Sequence, residues 1–234
     1  MWRLSRTRLR AVIFDLDGTL VDSAISFKKM KTKIIEHLEH GGMTSGLLND
    51  SMLNFEMTAA AEEHLRMKGF PEELIRQVLR GISEIMNEVE LESLEGATLI
   101  EGVPETLRTL KAKGLRLGIM TRSCREYVEG ILTKFRLKEN FDAVAARDDV
   151  EKPKPSPEHA LHLLNLLEVK PSEALFVGDH WSDAECAEKA GLGFILVQRQ
   201  DMNAKAPKDP NVRTVKKIVE LAKTIETYEL VPTL

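Results

Sequence analysis

A chain of 234 residues with 33 basic and 37 acidic side chains, a formal net charge of -4, is long enough to bury a substantial core and carries no global charge with which to hold nucleic acid or an anionic bilayer. Hydrophobic residues at 43% and charged residues at 30% are ordinary globular proportions, which excludes the disordered and collagen-like classes. Cys124 and Cys186 are too few for a disulfide framework or a thiolate zinc site, Arg3, Arg6, Arg8 and Arg10 interrupt the first ten residues, and no long apolar run follows, so a soluble cytoplasmic protein without nucleic-acid or membrane partners is expected.

The first short apolar run, 11–15, is read as a buried strand. From residue 23 to 96 the character changes: no β-branched run occurs, and apolar residues recur at helical spacing over 24–39, 50–68 and 71–91. Gly41-Gly42 and Gly69-Phe70-Pro71 break this stretch, with Pro71 placed to start a new helix. Residues 23–96 are therefore expected to form an all-helical insertion, and 1–22 with 97–234 the unit that carries it. Met52, Phe55, Met57, Leu65 and Met67 are read as its core rather than as a ligand pocket. Beyond it, apolar runs at 115–121, 141–145, 174–178 and 193–197 alternate with longer amphipathic segments, the pattern of helices packed on a mainly parallel sheet. Helix 103–113 is the best marked, with Pro104 in its first turn and Gly114 following as a left-handed cap. The expected fold class is α/β, a Rossmann-like, mainly parallel sheet core with a helical subdomain inserted.

Two of these strands end in carboxylates. Asp15 and Asp17 follow Val12-Ile13-Phe14, and alternation along a strand lets both approach one site beyond its carboxyl end, where open α/β sheets bind ligands. Asp179 follows Ala174-Leu175-Phe176-Val177-Gly178, and Asp183 lies one helical turn further on. Clustered carboxylates repel by about 1 kcal/mol per pair in water at about 4 Å, and by more when buried. The set therefore implies a hard divalent cation, and Mg²⁺ suits such oxygen ligands. Thr121 closes another strand with a hydroxyl, and Lys152-Pro153-Lys154-Pro155-Ser156-Pro157 supplies cations. Hydroxyl, lysine and metal together answer what phosphoryl transfer asks for, fixed position and neutralised equatorial oxygens. His37 with His40, and His159 with His162, share helix faces, but neither pair has a third ligand and both are read as solvated or half-buried. His180 and Trp181 are left between substrate contact and packing.

These four segments, in this order, resemble the motifs of the haloacid dehalogenase-like hydrolase superfamily, and an insertion directly after the first motif resembles the helical cap of its phosphoglycolate phosphatase-like branch. The resemblance implies a Mg-dependent phosphatase that hydrolyses a small phosphorylated molecule through an aspartyl-phosphate, with phosphoglycolate as the leading guess. It makes Asp15 the nucleophile, Asp17 the general acid and base, and Thr121 and Lys154 the holders of the phosphoryl oxygens. It assigns Mg²⁺ to the Asp15 side chain, the Asp17 backbone carbonyl and Asp179, with Asp183 on the ion or just behind. Lys154 is preferred to Lys152 because its distance from Arg147-Asp148-Asp149-Val150 fits the family. Arg122 stands where an Asn often follows the hydroxyl; it could fork onto a substrate carboxylate or phosphate, or pair with Asp148 or Asp149. A phosphomutase would use the same core residues, and a silent binding protein could share the fold. A dehalogenase is disfavoured, since it has no need of an acid two residues after the nucleophile.

Overall fold

The computed structural model describes residues 8–198 and 212–227; Arg3 and Arg6 of the N-terminal arginine series lie outside the described residues. The chain divides into two compact units, residues 1–23 with 97–234 and residues 24–96.

In chain order the strands are β1 (Ala11–Phe14), β2 (Val21–Asp22), β3 (Thr98–Leu99), β4 (Arg116–Met120), β5 (Ala143–Ala145), β6 (Ala174–Gly178), β7 (Gly193–Val197) and β8 (Arg213–Val215), all in the first unit. The helices are α1 (Phe27–His40), α2 (Asn54–Met67) and α3 (Glu72–Glu92) of the second unit, then α4 (Val103–Ala112), α5 (Arg125–Lys134), α6 (Pro157–Leu166), α7 (Trp181–Ala190) and α8 (Leu221–Glu226) of the first.

Six strands form one parallel sheet in the order β5-β4-β1-β6-β7-β8, while β2 and β3 make a separate antiparallel ribbon. Central β1 pairs with β4 through Val12↔Leu117 and with β6 through Val12↔Leu175. Every residue of β1 and β6 is buried, as expected where helices cover both faces and strands read as continuous apolar runs. Ile13, Met120 and Phe176 of the sheet join Leu163 and Leu164 of α6 and Ala187 of α7 in one core cluster. Burying a side chain of this kind is worth about 1.5 to 3 kcal/mol. The expected start and stop signals act where they fall: Pro104 lies in the first turn of α4, and Gly114, at φ 76°, ends it.

Three expectations are revised. Strand 141–145 shortens to β5 because Phe141 instead closes a 3-10 turn over 138–140. Edge strand β8 is new, three residues of which two are exposed, too short and too polar to stand out as an apolar run. In the helical unit, α1 begins after Ser26, whose side chain accepts from the Lys29 N–H, and α2 begins only at Asn54, after an Asn49–Ser51 turn. There Met57, Ala61 and Leu65 form the buried stripe at four-residue spacing, whereas Met67 falls outside it and is 73% exposed. Both cysteines are buried free thiols. No helix among the described residues is long and apolar enough to cross a membrane.

Candidate active site

Chain growth reverses at β1: β4 and β5 lie on one side of it, and β6, β7 and β8 on the other. Such a switch point leaves a crevice beyond the carboxyl ends of the strands. Asp15 follows β1, Thr121 follows β4 and Asp179 follows β6, so three strand ends deliver three polar groups to one crevice. The Asp15 N–H donates to the Val177 carbonyl at 2.9 Å, continuing the β1–β6 ladder past the last apolar residue. The chain then turns tightly, with Gly18 at φ 89°, where a side chain would be strained, and its N–H bonded to the Val21 carbonyl at 2.8 Å.

Asp15, Asp179 and Asp183 are all buried and present carboxylate oxygens within 4.8 Å of one another. Lys154, 2% exposed, places its ammonium 2.7 Å from an Asp15 oxygen and 2.7 Å from an Asp183 oxygen, and 5.2 Å above the centre of the Phe176 ring. The other Asp183 oxygen accepts from the His180 N–H at 3.0 Å. The Thr19 hydroxyl reaches Asp179 at 3.5 Å. A Cβ on Gly178 would lie 2.5 Å from Asp183 Oδ2, so only glycine lets that carboxylate approach the end of β6.

Three carboxylates against one ammonium leave two formal negative charges in a buried place. The strain registers in proton affinity. Burial, reinforced by Asp15 and Asp183, pushes Asp179 up to about 8. Burial also raises Asp15, with Asp183 adding and Lys154 opposing. For Lys154 burial works downward, but the two carboxylates outweigh it and hold it above its ordinary value. An all-oxygen donor set with two uncompensated charges fits a hard divalent cation that keeps several waters.

The Asp17 carboxylate is held apart from that cluster, on the β4 side. Ser123 Oγ donates to it at 2.6 Å, the Tyr127 hydroxyl at 3.1 Å and Thr121 Oγ1 at 3.5 Å. Of the two candidate lysines, Lys154 is in the crevice and Lys152 is exposed. Arg122 is half-buried next to Thr121, and the partnership with Asp148 and Asp149 that was considered for it belongs to Arg125, whose N–H meets Asp148 at 2.8 Å and whose guanidinium pairs with Asp149. His180 caps α7, its Nδ1 accepting from the Ser182 N–H, and its ring lies 5.4 Å from that of Trp181.

Sequence reasoning passed over three residues here. Two are Ser123 and Tyr127: a hydroxyl two residues past Thr121 and another four further on, the spacing of one helical turn, is the signal that was available. His159 is the third. Expected to be solvated or half-buried, it is fully buried, with Nδ1 accepting from the Lys154 N–H at 3.2 Å and Nε2 meeting the Ala145 carbonyl at 3.1 Å. Burial, with the Lys154 charge adding to it, lowers His159 to about 3, so the ring is neutral and carries its proton on Nε2.

A parallel sheet with a metal-competent carboxylate cluster and a buried lysine at its switch point is an arrangement suited to handling a phosphoryl group. The family model described as haloacid dehalogenase-like hydrolase matches residues 12–197, and the chain belongs to that family. Among curated relatives, the pyrophosphatase PpaX of Bacillus cereus is 32% identical over 184 residues, covering 79% of this chain and 81% of its own. Two solved structures share the fold. A predicted phosphoglycolate phosphatase from Haemophilus somnus, 22% identical, superposes with a TM-score of 0.60 over 92% of this chain and 97% of its own. CbbY from Rhodobacter sphaeroides in complex with phosphate, also 22% identical, gives 0.62 over 91% and 96%.

Proposed function

We propose that this enzyme is a Mg-dependent phosphatase that hydrolyses a small phosphorylated molecule through a transient aspartyl-phosphate on Asp15, in the cytoplasm, with residues 24–96 acting as a helical cap. The observation that carries this is the buried ammonium of Lys154 bridging Asp15 and Asp183 beside Asp179 at the switch point of the sheet. The lysine occupies one oxygen of Asp15, which orients the carboxylate and leaves its other oxygen to attack phosphorus. Asp17 then gives its proton to the departing oxygen as the P–O bond breaks. In the second half it takes a proton from the water that cleaves the aspartyl-phosphate, returning Asp15 and releasing phosphate. Positioned proton transfer of this sort contributes about 10² to 10⁴ in rate. Lys154 and Thr121 hold the equatorial oxygens, and Arg122, half-buried beside Thr121, meets a second anionic group of the substrate. When bound at Asp15, Asp179, Asp183 and the Asp17 carbonyl, Mg²⁺ supplies neutralisation of the phosphoryl charge.

Phosphoglycolate remains the first substrate to try, on a likeness of fold. A second reading is favoured by the pyrophosphatase relative at 32% identity: inorganic pyrophosphate, whose leaving phosphate asks less of Asp17 than an alkoxide does. The test is phosphate release from a panel containing phosphoglycolate, sugar phosphates and pyrophosphate, with and without Mg²⁺, for the unmodified enzyme and Asp15→Asn. Metal-dependent release that vanishes in Asp15→Asn is expected; release that persists in that variant would overturn the mechanism.

A further inference from the structure

Asp17 is gripped at both oxygens by a single segment of chain. One oxygen accepts from Ser123 Oγ at 2.6 Å and the other from the Tyr127 hydroxyl at 3.1 Å. Ser123 lies in the turn after β4 and Tyr127 in the first turns of α5, and both are buried, Tyr127 completely. The segment is itself anchored. The Ser123 N–H donates to Thr121 Oγ1 at 3.1 Å, the Arg125 N–H to Asp148 at 2.8 Å, and the Arg125 guanidinium pairs with Asp149. Holding both carboxylate oxygens fixes the side-chain torsions of Asp17, and the grip comes from groups that are not themselves free to move.

The chemical type of the gripping groups matters as much as their number. A general acid must be held through its acceptor lone pairs, so that in the protonated form its one O–H stays directed at the leaving oxygen. The Ser123 and Tyr127 hydroxyls donate to lone pairs of the Asp17 oxygens, so the one O–H of the protonated carboxyl is left for the departing oxygen. The contrast within the crevice is plain: Asp15, which needs to remain a nucleophile, is held by an ammonium, and Asp17 by hydroxyls.

We propose that Tyr127 and Ser123 are positioning residues for Asp17, a pair of hydroxyls that keeps its carboxyl aimed at the departing oxygen in both protonation states. This rests on the reading of Asp17 as the general acid and base. No atom is exchanged with the hydroxyls: the proton passes from Asp17 to the leaving oxygen as the P–O bond breaks, and from water to Asp17 as the aspartyl-phosphate is cleaved.

The experiment compares kcat/KM, which reports on the step that expels the leaving group, for p-nitrophenyl phosphate and for an alkyl phosphate. The first has a leaving group that departs without protonation, and the second does not. Tyr127→Phe keeps the ring packing and removes only the hydroxyl. It is expected to lose about tenfold or more on the alkyl phosphate and no more than about twofold on p-nitrophenyl phosphate, a part of the about 10² to 10⁴ that proton transfer supplies. Ser123→Ala, which leaves the buried ring untouched, is expected to show the same selectivity and keeps the test open if the tyrosine variant folds poorly. Equal losses on both substrates, or none, would mean that the hydroxyls serve packing and would overturn the proposal. Asp17→Asn separates this failure from a deeper one. A large loss confined to the alkyl phosphate upholds Asp17 as the acid whatever the hydroxyl variants do, while an unselective loss removes the acid role and the positioning role with it.

Discussion

His159 links the two residues proposed to hold a phosphoryl group. Its ring joins the Lys154 amide to the Ala145 carbonyl, and that same carbonyl accepts from the Thr121 N–H at 3.1 Å. Only the neutral ring with its proton on Nε2 can make both contacts, and burial holds it in that form by lowering its pKa from 6.5 to about 3. The consequence for stability has a definite sign. A histidine depressed in the folded state is protonated first in the unfolded chain, so lowering the pH below 6.5 favours unfolding, and the loss continues until the folded ring titrates near 3. One proton of difference is worth about 1.4 kcal/mol per pH unit, so at about pH 5 the folded state should be weaker by about 2 kcal/mol than above pH 7 on account of this residue. Carboxylates add their own pH dependence, and a difference measurement removes it. His159→Gln keeps an amide at the site and does not titrate. Urea unfolding of both proteins at about pH 8 and about pH 5 should show the unmodified enzyme losing about 2 kcal/mol more than the variant between the two. Parallel losses would refute the claim that His159 is folded in as a neutral, doubly bonded ring.

Three further outcomes follow from the carboxylate cluster. Lys154→Met removes the one ammonium from between Asp15 and Asp183, and metal-free unfolding in urea should show a loss of about 3 to 5 kcal/mol, the usual cost of breaking a buried pair from one side. Gly178→Ala would put a methyl group 2.5 Å from Asp183 Oδ2 and push that carboxylate away, so Mg²⁺ binding followed by calorimetry should weaken by about 10- to 100-fold with the rest of the fold intact. Mg²⁺ at about one hundred times its dissociation constant should stabilise the unmodified enzyme by about 2.7 kcal/mol, read as a rise in melting temperature, and Asp179→Asn should lose most of that rise.

The parts of the crevice that could be read from sequence are those in which an apolar run stops at a polar residue. Asp15, Thr121 and Asp179 each stand immediately after a buried strand, so the strand pattern and the site emerge together, and Asp183 follows by helical spacing. The parts that could not be read depend on how an element is turned. Histidines at 159 and 162 reveal a shared helix face but not that His159 is the one directed at the sheet. The spacing of Ser123 and Tyr127 puts both hydroxyls on one helical turn, but that the Tyr127 hydroxyl meets Asp17 is decided by how α5 is turned against the loop after β1. Arg122 and Arg125 are chemically alike, and which one meets Asp148 and Asp149 is decided by the path of the turn between β4 and α5. In the helical unit Met57 and Leu65 lie in the buried stripe as expected, whereas Met67, two residues past Leu65, points away from it.

The central claim is that Asp15 becomes covalently phosphorylated. Rapid acid quenching of the enzyme mixed with a ³²P-labelled substrate, followed by peptide mapping, tests it directly. Label on the peptide containing Asp15, stable to acid, released by hydroxylamine as an acyl phosphate must be and absent from Asp15→Asn, is the predicted result. Full-rate turnover with no protein-bound label at any quench time, together with inversion of configuration at phosphorus, would contradict it and assign the displacement to water in a single step.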